Sequence, residues 1–373
     1  MTDSDDQGNR SGQLPKVCLI SLRFSPACLS LLPAWGKMFG ALGFETDYVV
    51  HPRFKEFAEF AENDSAILPT DGEWNPQGGY AHALFAHPAP GNHVYGKALQ
   101  KTGCKVWYIY HEPWESLRSY LQTENYSVVL KLLAAHYLSV KMLKTADGVI
   151  LPSQRCVTAY ERADVQYNQR YFEIPLLFDD EAGQLLNEER IYFSYIGNIT
   201  KAHGFAEFIQ FVRFALKRNL DIRFLIASRF PLPDYLARDE MIANSPDRVV
   251  VRCGRPLTNS EINLCYAKSV CVWNVYLRST QSGVLAKATM FGTPVLASEA
   301  GSFPEFVTDH QEGRLLGSAD PETVLQAYEE IRNDLARFSA NSRRRFLSTF
   351  HYNAQLDLCR RIFVDAHGGK GAL

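Results

Sequence analysis

The stretch that decides the fold is Tyr276-Leu-Arg-Ser-Thr-Gln-Ser-Gly-Val-Leu-Ala-Lys-Ala-Thr-Met-Phe-Gly-Thr-Pro-Val-Leu-Ala-Ser298, followed by EAGSFPEFV (299–307). It reads as a strand end, a small polar loop, a helix, a tight Gly292-Thr293-Pro294 turn, a strand, a loop and a short helix. The loop Ser279–Gly283 holds only small or polar residues and opens directly onto the helix. A helix start carries unpaired N–H groups and a partial positive charge, so it favours a phosphate or diphosphate. Gly283 lets a ligand approach the backbone closely. The hydroxyls of Thr280 and Ser282 and the guanidinium of Arg278 add donors. An N-capped helix with no ligand uses the same small hydroxyl residues, so the loop alone admits both readings.

Outward from this stretch the same alternation recurs. VCLISL (17–22), ETDYVV (45–50), HALFAH (82–87), KVWYIY (105–110) and DGVILPS (147–153) read as buried strands, with helical patterns between them and one long helical stretch up to about Lys144. Residues 52–79 read as a long surface connection. The alternation weakens over 163–190, where FEIPLLFDDEAG looks like an inter-domain connection. It then restarts with IYFSYIG (191–197), a helix over 204–219, and strands at 221–227, 248–254, 270–276 and 293–298. A helix with its N-cap at Thr258 or Asn259 is expected over 257–269, with two more over 319–347 and a last one over 352–366. The expected fold class is α/β: two doubly wound, Rossmann-like domains facing a cleft. The expected divisions are a disordered tail (1–15), an N-terminal domain (16–180), a C-terminal domain (181–348) and a returning C-terminal helix (349–373). Ligands of such sheets bind at the carboxyl ends of the strands.

Composition narrows the function. The 373 residues carry 39 Lys and Arg against 41 Asp and Glu, a formal net charge of -2. A general nucleic-acid binder needs a basic excess, and this chain has none. The eight cysteines include no CxxC pair and sit in apolar runs, as buried free thiols of a reducing compartment do. The acidic, polar start MTDSDDQGNRSGQLPK lacks the features of a signal peptide, and no window reaches about 18 uninterrupted apolar residues. The expected location is therefore cytoplasmic. The stretch VVLKLLAAHYLSVKMLK (128–144) reads either as a core helix or as a contact with the inner face of a membrane. His82, His87 and His93 lack a second ligand motif, so no metal site is expected, and neither a GxSxG elbow nor a Walker motif is present.

With these residues in view, the chain resembles the GT-B glycosyltransferases, especially family 4 and its bacterial polysaccharide relatives. The resemblance rests on Gly292-Thr293-Pro294-Val295-Leu296-Ala297 and on Gly301-Ser302-Phe303-Pro304-Glu305-Phe306-Val307. Further support comes from YIGNITKAHG (195–204), from RVVVRCGRPLTNSEINLCYAKSVCVWNVY (248–276) and from ADGVILPS (146–153). The order and spacing hold from about 100 to 310. The resemblance implies transfer of a sugar from a nucleotide-diphosphate donor to a hydroxyl acceptor, such as a glycan or a lipid-linked oligosaccharide. It implies no required metal and no tightly bound cofactor, and a last helix that crosses back to the first domain. Ser279 and Lys287 stand where many members carry paired glutamates, Asn198 where they carry an arginine, and His203 where they carry a lysine. Lys201 supplies charge at a different position. The form Thr280-Gln281-Ser282-Gly283-Val284 resembles members that cradle the diphosphate with backbone amides. Cys253-Gly254-Arg255 ends the strand where the family holds the nucleobase through backbone. Glu305 is placed near the donor sugar or ribose, and Arg229 and Arg23 in loops near the phosphates or the acceptor.

Tyr110-His111-Glu112-Pro113 follows a strong strand and so lies at the expected cleft. An inverting route needs a general base beside the acceptor hydroxyl. A retaining route needs electrostatic stabilisation of an oxocarbenium-like state. His111 or Glu112 can serve the first or orient the acceptor in the second, and a helix cap with Pro113 in the first turn is the alternative use of the same residues. The missing acidic pair also fits a non-catalytic homologue acting as a partner in glycan assembly. A nucleotide-sugar epimerase is a third reading.

Overall fold

The computed structural model describes residues 14–57, 60, 66–67, 78–162 and 170–365. The tail expected over 1–15 lies, up to residue 13, outside the described residues, as does much of the connection 52–79. The first lobe is built on β1 (Lys16–Ser21), β2 (Glu45–Val50), β3 (Ala66–Ile67), β4 (Tyr80–Phe85), β5 (Lys105–Ile109), β6 (Gly148–Leu151) and β7 (Arg170–Glu173). They form one seven-stranded sheet in the order β3-β2-β1-β4-β5-β6-β7, and every pair is parallel. Its helices are α1 (Cys28–Ala41), α2 (Asn92–Lys101), α3 (Leu117–Thr123), α4 (Tyr126–Leu143) and α5 (Gln154–Glu161). The second lobe repeats the plan with β8 (Tyr192–Ile196), β9 (Arg223–Ser228), β10 (Val249–Cys253), β11 (Ser269–Asn274), β12 (Val295–Ser298) and β13 (Gly313–Leu316), ordered β10-β9-β8-β11-β12-β13 and again parallel. Helices α6 (Phe205–Lys217), α7 (Asn259–Ala267), α8 (Gly283–Met290), α9 (Pro321–Asn333) and α10 (Leu335–Arg345) cover it, and α11 (Leu356–Phe363) follows.

The central strands β1, β4, β5, β6, β8, β11 and β12 are mostly buried because both sheet faces are covered. Along β1, Val17 and Leu19 enter one core and Cys18 and Ile20 the other, as the two-residue period of a strand requires. Local capping fixes the helix starts at the cleft. Ser153 accepts from the Cys156 amide (3.1 Å), Ser282 from Leu285 (3.1 Å), and Thr258 and Glu261 form a reciprocal capping box.

The expected long helix up to Lys144 divides into α3 and α4. Glu124 adopts extended backbone between them and turns its carboxylate toward Arg278 of the second lobe. The expected connection over 163–190 contains an edge strand, β7, beside β6. The last helix is shorter than expected, α11 being preceded by a 3-10 turn, Tyr352–Gln355. It returns to the first lobe: Phe363 packs between Trp107 and Phe39 (ring centroids 4.9 and 5.0 Å), and its carbonyl accepts from His82 Nε2 at 2.9 Å. The outgoing and returning chains also pair between the lobes, with the Phe178 amide donating to the Phe350 carbonyl (2.8 Å) and the Tyr352 amide to Phe178 (3.0 Å).

Candidate active site

The loop after β11 meets the loop after β5 across the cleft. Thr280 Oγ1 donates to the His111 carbonyl at 3.1 Å, and Ser153 Oγ donates to the Thr280 carbonyl at 2.7 Å. The Ser282 hydroxyl, weighed from sequence as a ligand donor, is the N-cap of α8 and also receives Asn274 Nδ2 at 3.1 Å. The amides of Gly283 and Val284 donate to no group among the described residues. They are the orphan donors of a helix start, and they carry its positive dipole end.

Two glycines of this wall differ in kind. Gly301 has φ +69°, and a Cβ there would collide with the Ser279 carbonyl, so the fold itself demands glycine. Gly283 has no such backbone, and a Cβ would meet only Phe178 Cζ at 3.9 Å. The protein leaves room above Gly283 that its own atoms do not use.

The facing wall is a cavity of about 210 Å³ lined by His87, His111, Glu112, Trp114, Tyr120 and His136, among others, and closed from the second lobe by Gln281. His111 Nε2 lies 2.9 Å from the Ala86 carbonyl. A carbonyl only accepts, so Nε2 holds the proton and Nδ1 is a bare acceptor. That Nδ1 is buried and has no partner; the same holds for His87 Nε2, His136 Nδ1 and Gln281 Oε1. Burial pushes the His111 imidazole down to about 4, partly offset by its bond to Ala86, and pushes His87 down to about 3, with His111 and Arg23 adding to the fall. Both rings are neutral near pH 7. Trp114 stacks on Tyr120 and His136 (ring centroids 4.6 and 4.9 Å), making an aromatic wall. Neutral imidazoles beside aromatic rings suit a hydroxyl-rich, uncharged ligand.

Several candidate residues are engaged in ways the sequence did not foresee. Arg278 stacks on Tyr120 (4.6 Å) and pairs with Glu124 of the first lobe (3.4 Å). Lys201 donates to the Gln122 carbonyl at 2.7 Å. Lys287 is buried and bonds Glu181 (2.9 Å) and Asn263 (3.0 Å) rather than facing the loop. Glu305, expected near the donor sugar or ribose, caps the start of α5 in the opposite lobe, accepting from the amides of Gln154 (2.7 Å) and Arg155 (2.8 Å). His203 stacks on Tyr276 (4.4 Å) and spends its Nδ1–H on the Asn198 carbonyl (3.1 Å), so in the neutral ring Nε2 accepts and does not donate to a diphosphate. Asn198 enters here through its backbone. Gly254 (φ +90°) turns the chain after β10, its amide on the Phe230 carbonyl at 3.1 Å. Arg229 and Arg23 lie on opposite lobes; partial desolvation disfavours the Arg229 charge first, and the nearby Arg23 and Arg53 add to that. Arg53, stacked on Phe24 at 4.7 Å, joins them.

Sequence reasoning did not single out Trp114, Tyr120, His136 or Ser153 for the site, and weighed His87 only among metal ligands. The rule that sites follow strand ends would have found His87 and Ser153, which follow β4 and β6. Nothing in sequence marks His136, on the inner face of α4. Among the described residues no group of His, Cys, Asp or Glu side chains converges to hold a metal. His82 is a core residue, bonded to Phe363 and accepting from Trp107 Nε1 at 3.0 Å.

Comparisons with known proteins place this geometry. Residues 190–334 match the family described as Glycosyl transferases group 1. No curated protein matches the chain in sequence. Among solved structures, a glycosyltransferase from Rickettsia africae superposes with TM-score 0.69 at 13% identity, covering 95% of this chain and 99% of that one. HepE of Anabaena in complex with UDP gives TM-score 0.68 at 15% identity, covering 94% and 99%. Sucrose-phosphate synthase from Thermosynechococcus elongatus gives 0.65 at 16%, covering 94% and 99%. The chain thus has the GT-B fold seen in these glycosyltransferase structures, and residues 190–334 of its second lobe are similar to the Glycosyl transferases group 1 family.

Proposed function

We propose that the protein transfers a sugar from a nucleotide-diphosphate sugar to a hydroxyl of an acceptor held in the first-lobe cavity, without a bound metal. The observation that carries this reading is the unused space above Gly283 beside the free amides of Gly283 and Val284. A diphosphate there receives two backbone donors and the helix dipole at the position where charge develops on the leaving group. The solved HepE structures hold UDP and UDP-glucose, which supports a nucleotide as the ligand of the second lobe. Entry of the donor requires the lobes to part, breaking the Thr280–His111 and Ser153–Thr280 bonds. Parting also releases Arg278 from Glu124, so that its guanidinium can meet the phosphates.

His111 acts on the acceptor. Its bare Nδ1 accepts the hydrogen bond of the attacking hydroxyl and aims the oxygen. An imidazole held near 4 is too weak a base to keep that proton. Glu112, on the same cavity, is the carboxylate available to take it in an inverting route. In a retaining route the departing phosphate takes it.

Calorimetry with UDP, GDP and ADP, followed by a donor-consumption assay, tests the reading. One nucleoside diphosphate is expected to bind, and Gly283→Val to abolish binding while the protein stays folded. Absence of binding to every nucleoside diphosphate and nucleotide sugar tried would overturn it.

A further inference from the structure

Helix α4 carries apolar residues on two faces. Its inner face buries Val129, Met142 and Leu143 in the first lobe, and Leu132, Ala135 and His136 line the cavity. Its outer face presents Tyr126, Leu130, Leu133 and Tyr137, a stripe at helical spacing of the kind that globular proteins turn inward. Here it faces solvent: Tyr126 is 80% exposed, Leu130 67% and Tyr137 61%. Leu117 and Leu121 are exposed on α3, which packs against α4. Contiguous apolar surface of this kind marks a contact site.

The charges around the patch have one sign. Arg118, Lys131, Lys141 and Lys144 flank it, and Lys141 Nζ lies over the Tyr137 ring at 4.5 Å. The only acid between residues 117 and 146 is Glu124, which turns inward to Arg278. Tyrosines at the margins, leucines along the stripe and cationic side chains beside them match the layers of a lipid interface: headgroup, acyl boundary and anionic surface. By length and composition α4 is apolar enough to cross a membrane, with a mean hydropathy of 1.2 over its 18 residues. Its inner face is packed on the lobe, however, so the helix lies along a surface.

We infer that the outer face of α3 and α4 docks the protein on an anionic bilayer. The same helix walls the acceptor cavity, so docking sets the cavity beside the headgroups, where a lipid-linked acceptor presents its hydroxyl. This last step rests on the transferase reading; the docking does not.

Co-sedimentation of the full chain with vesicles of phosphatidylcholine alone, and with phosphatidylglycerol added, tests the inference. At least about tenfold tighter binding to the anionic vesicles is expected, weakening with salt. Leu130→Glu with Tyr137→Glu is expected to remove binding, and Lys131→Gln with Lys141→Gln and Lys144→Gln to remove the preference for anionic lipid. Circular dichroism and the thermal shift given by UDP serve as controls for folding and for the donor site. No vesicle binding by the wild type overturns the docking, as does equal binding by the Glu variant. A dimer in solution that the Glu variant splits also overturns it, assigning the face to a second copy. Vesicle binding without any nucleotide response sustains the docking and removes the transferase reading, so the two failures are separable.

Discussion

On the second-lobe wall of the cleft, the unpartnered groups among the described residues include the helix-start amides of Gly283 and Val284 and the Gln281 Oε1 beside them. On the first-lobe wall they are side chains: bare nitrogens of His87, His111 and His136 beside Trp114 and Tyr120. Backbone amides at a dipole end recognise negative charge and tolerate wide change in neighbouring side chains. Neutral imidazoles and rings recognise hydroxyls and apolar sugar faces, and they depend on each side chain being kept. Neither Ser279 nor Lys287 turns a free side chain to this helix start: Ser279 Oγ donates to the Gln281 carbonyl at 3.2 Å. Lys287 serves architecture instead, binding Glu181 of the inter-lobe connection to Asn263 of α7.

Four measurements sharpen or break this contrast. The largest effect concerns pH. The folded protein holds His111 at about 4, against 6.5 for the free side chain. Between these values the unfolded chain binds the proton and the folded chain does not, so stability is full above pH 6.5 and is lost as the pH falls toward 4. The loss from His111 is on the order of 3 kcal/mol. His111→Gln should flatten the melting-temperature profile in that window relative to wild type. A parallel profile would mean that the ring is solvated and the cavity wall is not as described.

The next effect is on turnover. His111→Ala is expected to reduce kcat by about 100-fold while leaving nucleoside diphosphate affinity unchanged. An equal loss in donor affinity would show that the walls do not divide the two ligands. Third, Gly283→Ala should keep the melting temperature and weaken nucleoside diphosphate binding by about tenfold, because the added methyl takes the ligand's space. Gly301→Ala should do the reverse, lowering stability by about 1–3 kcal/mol through backbone strain. If both variants behave alike, the room at Gly283 is not a binding feature. The smallest effect belongs to a surface ion pair. Asp179 pairs with Lys37 of α1 in the open, so Asp179→Asn should cost under about 1 kcal/mol in chemical denaturation.

The fold was legible wherever a local signal and a long-range role coincide. Gly292-Thr293-Pro294, the small-residue loop before α8 and the restart at IYFSYIG are short-range features, and each sits at its expected place between parallel strands. The strand–helix boundaries also followed from capping residues such as Thr258 and Ser282. The division of α3 from α4 was not legible. Glu124, extended between the two helices, pairs with a residue 154 positions away, a contact that no local pattern encodes. Edge strand β7 was missed for the same reason, since its polar RYFE sequence becomes a strand only against β6.

The site divided in the same way. His111 and the loop Thr280–Gly283 stand directly after strands, where a parallel sheet exposes its ligand-binding edge, and so sequence alone pointed to them. Whether a candidate faces a ligand or another protein group depends on the opposite lobe. Arg278, Lys201 and Glu305 each found a partner there, and Lys287 found Glu181 on the connection.

Sequence by itself determined the α/β class, the doubling of the winding and the small-residue loop that opens α8, because hydrophobic period, glycine and helix starts act within a few residues of the chain. The tertiary structure alone decided which charges stay unspent, which imidazole nitrogens are left bare and which face of α4 remains uncovered. Those outcomes depend on burial and on partners brought together from distant parts of the chain.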